Sequence, residues 1–230
     1  MINRSIIELC LRRNSGGGYY NVVNNTSYSF VNGSSLPYPS DYKIRPECTI
    51  DLRSGETGIN LNSYKINNKT ICFWIKDTST YSGNGGVIFS NFNLMIKNNT
   101  LYILNAPASG TVTLCSHDFT KWTFVEIYAI NNGSSSVKNI TLFINGTKIG
   151  TFTIYYNNTW DYYGESIKYI GYFSLGSNKF NFNGILSDVC IINGRYHTDG
   201  YKIPSYYLNH SLYDNIKFYL LYESNDNIYG

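Results

Sequence analysis

The sequence is poor in charged residues and in long apolar runs. Charged side chains make up 14% of its 230 residues, and the formal net charge is +3. No block of lysine and arginine occurs, so the basic stripe of a nucleic-acid-binding surface is missing. No apolar run approaches the roughly 20 residues of a membrane-spanning helix. These absences argue against nucleic acid as a partner and against membrane insertion.

The sequence also lacks the patterns of common hydrolases and phosphate-binding enzymes. Retaining glycosidases need two carboxyl groups about 5 Å apart, but the glutamates here are isolated and Asp188 stands alone in its predicted strand. No G-x-S-x-G motif marks a serine nucleophile. The glycine run at 16–18 is not followed by the lysine of a phosphate-binding loop. We therefore expect no enzymatic activity.

The five cysteines do not form a recognisable disulfide or metal framework. Their number is odd, no C-x-x-C pair occurs, and Cys72, Cys115 and Cys190 fall inside strand-like runs. The histidines lack zinc-ligand spacing relative to them, so free thiols are predicted and no cofactor is expected. Calcium at a rim stays open, because Asp77 and Asp161 are oxygen ligands without an acidic cluster around them.

The first residues do not resemble a secretion signal. The apolar run in MINRSIIELCLRRNSGGG is short and is interrupted by Glu8. Unpaired cysteines are typical of reducing compartments. Both features favour a protein that is assembled in a cytoplasm.

What the sequence does contain is strand-forming residues and turn signals. It has 23 tyrosines and 12 phenylalanines, and Asn, Gly and Ser separate short runs at intervals of about 8–12 residues. The clearest element is the stretch NITLFINGTKIGTFTI, whose Asn145-Gly146 pair suits a type I′ hairpin turn. The other predicted strands are 48–52, 71–76, 86–90, 93–97, 100–104, 111–115, 122–130, 167–173, 185–192 and 215–222.

Alternation along these strands predicts which side chains are buried. With a two-residue turn, Leu142 faces Ile149, and both lie on the core face with Ile140 and Ile144. The wider predicted core consists of Phe73, Trp74, Leu142, Ile144, Val189 and Ile191. Neighbouring residues of a strand point to opposite faces, so Phe73 and Trp74 cannot share one.

Five segments, in order, resemble the laminin-G-like branch of the concanavalin A-like family. They are CFWI at 72–75, NLMIKNNTLYIL at 93–104, KWTFVEIYAI at 121–130, LFINGTKIG at 142–150 and FNFNGILSDVCIINGRYHT at 180–198. The resemblance implies an all-β, two-sheet antiparallel jelly-roll sandwich of the concanavalin A-like type. It also implies glycan or protein binding, often with calcium at a rim. We accordingly predict an N-terminal arm over 1–18 and a sandwich over 19–230.

Copies of this fold that lack a secretion signal and are rich in Asn and Tyr are similar to bacteriophage virion proteins. This resemblance implies a non-enzymatic structural or display protein of a virion, such as a capsid decoration, a fibre or a tail adhesin. The partners it implies are protein subunits of a larger assembly and a host surface glycan, and the location is the virion. The alternative is a secreted or cellular lectin-like, carbohydrate-binding module with an extracellular location.

Sugar binding needs an exposed aromatic ring to stack on a pyranose, with amide or carboxylate groups beside it. The loop that follows the hairpin offers such a set, namely Trp160, Asp161, Tyr162 and Tyr163. A second candidate loop carries Tyr81 and Asn84. The alternative for the first loop is that Trp160 and Tyr163 cover an edge of the sandwich.

The N-terminal arm carries an unusual apolar load for a terminus. We predict that it docks on a partner subunit, with basic side chains supplying contacts at the rim of the interface. The docking residues are Ile2, Arg4, Ile6, Leu9, Arg12 and Arg13. The alternative is that the arm packs on its own domain as an extra edge strand. If the arm docks on a partner, deleting residues 1–15 leaves a folded domain that no longer joins its assembly.

Overall fold

The structure is a computed structural model that describes residues 7–21, 24–31, 36, 39–41, 48–53, 57–81, 85–104, 111–133, 137–155, 165–175, 178–195 and 197–200. These residues form β-strands and no α-helix, so no helix among them could cross a membrane. The strands are β1 Ile7–Arg13, β2 Tyr19–Asn21, β3 Ser27–Phe30, β4 Thr49–Asp51, β5 Ile59–Lys65, β6 Lys69–Asp77, β7 Gly86–Phe89, β8 Leu94–Lys97, β9 Thr100–Leu104, β10 Thr111–Ser116, β11 Thr123–Asn131, β12 Val137–Ile144, β13 Thr147–Tyr155, β14 Ser166–Ile170, β15 Ser174–Leu175, β16 Asn178–Lys179 and β17 Gly184–Asn193.

The strands form two antiparallel sheets that pack face to face. Sheet I has the order β1-β17-β6-β11-β12-β13, with β4 also paired to β17. Sheet II has the order β3-β5-β14-β7-β8-β9-β10. Strand β2 pairs with both β1 and β3 and so links the two sheets along one side. The predicted all-β, two-sheet antiparallel sandwich is confirmed.

The predicted hairpin turn is present, but the register beyond it differs from the prediction. Asn145 and Gly146 have φ values of 51° and 79°, in the left-handed region that a type I′ turn requires. A bulge between Leu142 and Phe143 then pairs Leu142 with Gly150 instead of Ile149. One extra residue reverses the alternation of the rest of β13. The prediction that Ile149 is in the core is therefore wrong, and its side chain is 41% exposed.

The main core lies between the two sheets. It contains five of the six predicted core residues, namely Phe73, Leu142, Ile144, Val189 and Ile191. Trp74 is also buried, but it lies on the outer face of sheet I, where its ring is 5.1 Å from that of Phe124. The expectation that Phe73 and Trp74 point to opposite faces is confirmed.

Leu142→Ala should lower the free energy of unfolding by about 2–5 kcal/mol, through lost burial plus the cavity left behind. Ile149→Ala on the same hairpin is the matched control, because Ile149 is largely exposed; exposed substitutions usually change stability by about 0.5 kcal/mol or less. Urea unfolding of both variants measures the difference. Equal midpoints for the two variants would contradict the assignment of this hairpin face to the core.

Strand β1 belongs to the sandwich. It lies between β17 and β2, with Leu9 and Leu11 fully buried in the main core. Arg13 donates a hydrogen bond to Leu36 O at 3.0 Å and lies 5.9 Å from the ring centroid of Tyr19. This placement favours the alternative that the segment packs on its own domain. It differs from that alternative in one respect, because β1 is paired on both sides and is not an edge strand. Ile2, Arg4 and Ile6 lie outside the described residues, so their docking role stays a prediction.

Candidate functional site

Most residues of the predicted sugar-binding loops lie outside the described part of the chain. This applies to Trp160, Asp161, Tyr162 and Tyr163, and to Asn84, so their role stays a prediction. Tyr81 is described, and both its hydroxyl group and its ring have contacts within the fold. The Tyr81 hydroxyl donates to Asp77 Oδ1 at 3.1 Å and accepts from the backbone N–H of Asn183 at 3.1 Å. Its ring packs against the main core, and burial raises its pKa. The sugar-binding role of Tyr81 therefore also stays a prediction.

Two acidic side chains singled out by the sequence are also engaged within the fold. Asp77 is buried and accepts a hydrogen bond from the backbone N–H of Ser79 at 3.2 Å, and burial raises its pKa. Asp188 lies at a bulge of β17 with a φ of 52°, and the Ser187 hydroxyl donates to it at 2.6 Å. Among the described residues no group of three or more potential metal ligands is found. Calcium binding therefore stays an open prediction, with Asp161 outside the described ranges.

A buried histidine–carboxylate pair lies on the outer face of sheet I. His197 Nδ1 is 2.7 Å from Glu126 Oε2, and both side chains are buried. Cys72 lies directly opposite Glu126 on the neighbouring strand β6. A thiolate beside such a pair would suggest nucleophilic catalysis. However, burial and then the charge of Glu126 raise the pKa of the Cys72 thiol well above its ordinary value, which opposes thiolate formation.

The histidine–carboxylate pair instead holds the segment that follows β17 against sheet I. Residues 194–195 and 197–200, here called the strap, lie on the outer face of β6, β11 and β12. At one end Thr70 donates a hydrogen bond to Gly194 O at 2.8 Å. At the other end Lys148 Nζ donates to Thr198 O at 2.8 Å. His197 lies between these points and also contacts the ring of Phe143, at 6.3 Å between centroids.

A second group of side chains lies beside the strap on the same outer face. Register places Ile130, Asn139 and Thr153 in one row across β11, β12 and β13, and Tyr155 follows two residues beyond Thr153. These four side chains, together with Asn132, define what we call the Tyr155 patch. Tyr155 is 62% exposed and Ile130 is 36% exposed. The patch thus presents an accessible aromatic ring and an aliphatic side chain on rigid strands.

The polar groups of the Tyr155 patch are aligned by hydrogen bonds among themselves. Thr153 Oγ1 donates to Asn139 Oδ1 at 2.9 Å, and Asn132 Nδ2 donates to the same oxygen at 3.4 Å. Within the described residues the amide N–H group of Asn139 makes no hydrogen bond, and hydroxyls such as that of Thr153 can still accept. A ligand lying on Tyr155 would therefore meet fixed donors and acceptors. This combination suits a molecule with one apolar face and many hydroxyl groups.

Sequence reasoning missed this surface for an identifiable reason. Without the bulge at Leu142, residues Thr151, Thr153 and Tyr155 would share the core face with Ile149. The bulge moves them to the outer face of sheet I. One feature of the sequence did indicate an exposed face. Strand β13 contains three threonines, Thr147, Thr151 and Thr153, and threonine suits a solvated strand face better than a core.

Comparisons with known proteins concern the fold. No family model matches the sequence, and no curated protein matches it. The chain is similar to a mutant Trypanosoma rangeli sialidase displaying trans-sialidase activity, with a TM-score of 0.53 and 12% identity over 85% of this chain and 32% of the sialidase. It is also similar to domain 4 of AbnA, an extracellular arabinanase from Geobacillus stearothermophilus solved with arabinotriose, with a TM-score of 0.49 and 13% identity over 82% of this chain and 94% of that domain.

A third similar structure is that of botulinum neurotoxin type C, whose cell entry depends on interaction with two ganglioside molecules. The TM-score is 0.49 and the identity 18%, over 96% of this chain and 52% of the toxin chain. The chain therefore spans about a third of the sialidase and about half of the toxin chain. The similarity to the sialidase agrees with the all-β fold described above.

Proposed function

We propose that the protein is a non-catalytic carbohydrate-binding β-sandwich module and that the Tyr155 patch is its glycan-binding surface. The observation that carries this proposal is the exposed Tyr155 ring beside the aligned Thr153–Asn139–Asn132 hydrogen-bonding groups. Stacking on the ring supplies apolar contact area, and the amide and hydroxyl groups supply orientation. Because Tyr155, Thr153 and Asn139 lie on strands and Asn132 directly follows β11, the surface is formed before the ligand arrives, which limits the entropic cost of binding.

Tyr155→Ala should weaken glycan binding about tenfold, which corresponds to about 1.4 kcal/mol. Titration calorimetry first measures the affinity of the wild-type protein for a panel of neutral and acidic oligosaccharides. The tightest-binding oligosaccharide is then titrated into the Tyr155→Ala variant. Tyr169→Ala is the matched control, because it removes a part-exposed tyrosine from sheet II. Lack of binding across the panel would overturn the proposal. A loss of affinity in the control but not in Tyr155→Ala would do so as well.

The sequence further suggests where such a module acts. We propose that it serves as a display or adhesion protein of a virion and contacts other protein subunits there. The support is the resemblance to bacteriophage virion proteins; the alternative is a free extracellular lectin-like module. Purification from its natural source separates the two, because a virion component is recovered in a large assembly. Recovery only as a free, soluble protein would reject the virion role and leave glycan binding intact.

A further inference from the structure

The strap carries a cation that is fixed in place beside the Tyr155 patch. The guanidinium carbon of Arg195 lies 5.7 Å from the centroid of the Tyr128 ring. Its Nε donates to His197 O at 3.0 Å, and its Nη2 donates to Thr198 O at 3.2 Å. These contacts hold the guanidinium in one orientation on the outer face of sheet I, although the residue is exposed.

The contacts of Arg195 are all to neutral groups. Within the described residues it makes no ion pair, whereas Arg53 is paired with Asp51. The acidic side chains near the strap already have partners of their own. Glu126 is paired with His197, and Asp199 lies 3.6 Å from Lys148. The positive charge of Arg195 is therefore oriented by the fold without being neutralised by a described carboxylate.

Arg195 is close enough to the Tyr155 patch to contact the same ligand. Tyr128, over which the guanidinium lies, precedes Ile130 of the patch by two residues on the outer face of β11. Residues two apart on a strand are separated by about 7 Å. Tyr128 also lies directly opposite Thr141 of β12, whose hydroxyl is 3.1 Å from that of Thr151 on β13. Tyr155 lies four residues, about 13 Å, beyond Thr151 along β13. An oligosaccharide that contacts both Tyr155 and the guanidinium would therefore cross β13, β12 and β11 diagonally.

We propose that Arg195 forms an anion subsite at the edge of the Tyr155 patch, and that the natural ligand is an acidic glycan bearing a sugar carboxylate. This inference rests on the proposed glycan-binding function. An arginine has five N–H donors, and the described bonds of Arg195 use two of them. The remaining donors include both on Nη1, and a guanidinium edge binds a carboxylate through paired hydrogen bonds. The fixed orientation means that little side-chain entropy is lost on binding.

The test uses two matched pairs of probes that differ in their carboxylate: sialyllactose with lactose, and trigalacturonate with galactotriose. Wild-type protein should bind the acidic member of at least one pair about tenfold more tightly, and salt should reduce that preference. Arg195→Gln should remove the preference and leave affinity for the neutral member unchanged. Arg195→Lys should retain part of it, because the charge remains while the planar fork is lost.

Lys179→Gln on β16 is the matched control for net charge, because Lys179 is exposed and lies on a separate hairpin. It should keep the full preference for acidic probes. Equal affinity for acidic and neutral probes, or an unchanged preference in Arg195→Gln, would overturn the anion subsite. Glycan binding that still depends on Tyr155 would then leave the proposed function standing. A sulfated probe bound as tightly as its carboxylate counterpart would overturn the carboxylate assignment.

Discussion

A chain that lacks residues 1–15 is expected not to form a stable sandwich. The deletion removes β1 from between β17 and β2, so backbone groups on both neighbouring strands lose their partners. It also removes Leu9 and Leu11 from the core, where both are fully buried. Each such side chain contributes about 1.5–3 kcal/mol of burial. The two side chains together contribute about 3–6 kcal/mol, which is a large part of the 5–15 kcal/mol or so that stabilises a typical domain.

Circular dichroism and thermal unfolding measure this outcome directly. Deletion of residues 1–6 alone is the matched control, because it leaves β1 in place, and we expect it to keep a cooperative unfolding transition. A 1–15 deletion that melts at the wild-type temperature would show that β1 is dispensable. That outcome would restore the idea of a detachable N-terminal arm that docks on a partner.

Breaking the His197–Glu126 pair should have the second large effect. His197→Ala leaves the Glu126 carboxylate buried without the imidazole that lies 2.7 Å from it. Removing one partner of a buried hydrogen bond typically costs about 1–3 kcal/mol, and more where a charged group is involved, because the remaining polar group stays buried without that partner. The strap would lose the contact that holds its middle against sheet I, and Arg195 would lose part of its support.

The matched control for this prediction is His117→Ala. His117 is only partly buried and lies beside the ring of Phe119, with no carboxylate partner among the described residues. Chemical unfolding of His197→Ala, Glu126→Gln and the double variant forms a double-mutant cycle. The double variant should lose less stability than the two single losses added together. Additive losses would show that the two side chains do not act as a pair.

The fold could be predicted from the sequence because its signals are local. Asn145-Gly146 defines a turn through its own backbone preferences, and alternation places Phe73 and Trp74 on opposite faces whatever the rest of the chain does. The bulge at Leu142 has no such local signal, because it depends on how β13 meets β12. The one extra residue that the bulge adds to β13 places Tyr155 on the outer face of sheet I, whereas regular alternation would place it on the core face.

The candidate site was harder to predict because it depends on burial and on contacts distant in the chain. Residue type marks Tyr81 as a possible stacking ring, yet only the fold shows its hydroxyl bonded to Asp77 and Asn183. The many apolar side chains around Leu9 indicate that the segment is buried, but they do not indicate which surface it packs against. Arg195 looks like any surface arginine until the strap places it over Tyr128.

The most direct measurement of the central claim is an NMR titration of the protein with the glycan that binds it most tightly. Perturbed backbone amides locate the contact surface without any substitution. We predict that the shifts cluster on β11, β12 and β13 around Ile130, Asn139, Thr153 and Tyr155. Shifts confined to sheet II, with β11–β13 unchanged, would contradict the assignment of the Tyr155 patch as the glycan-binding surface.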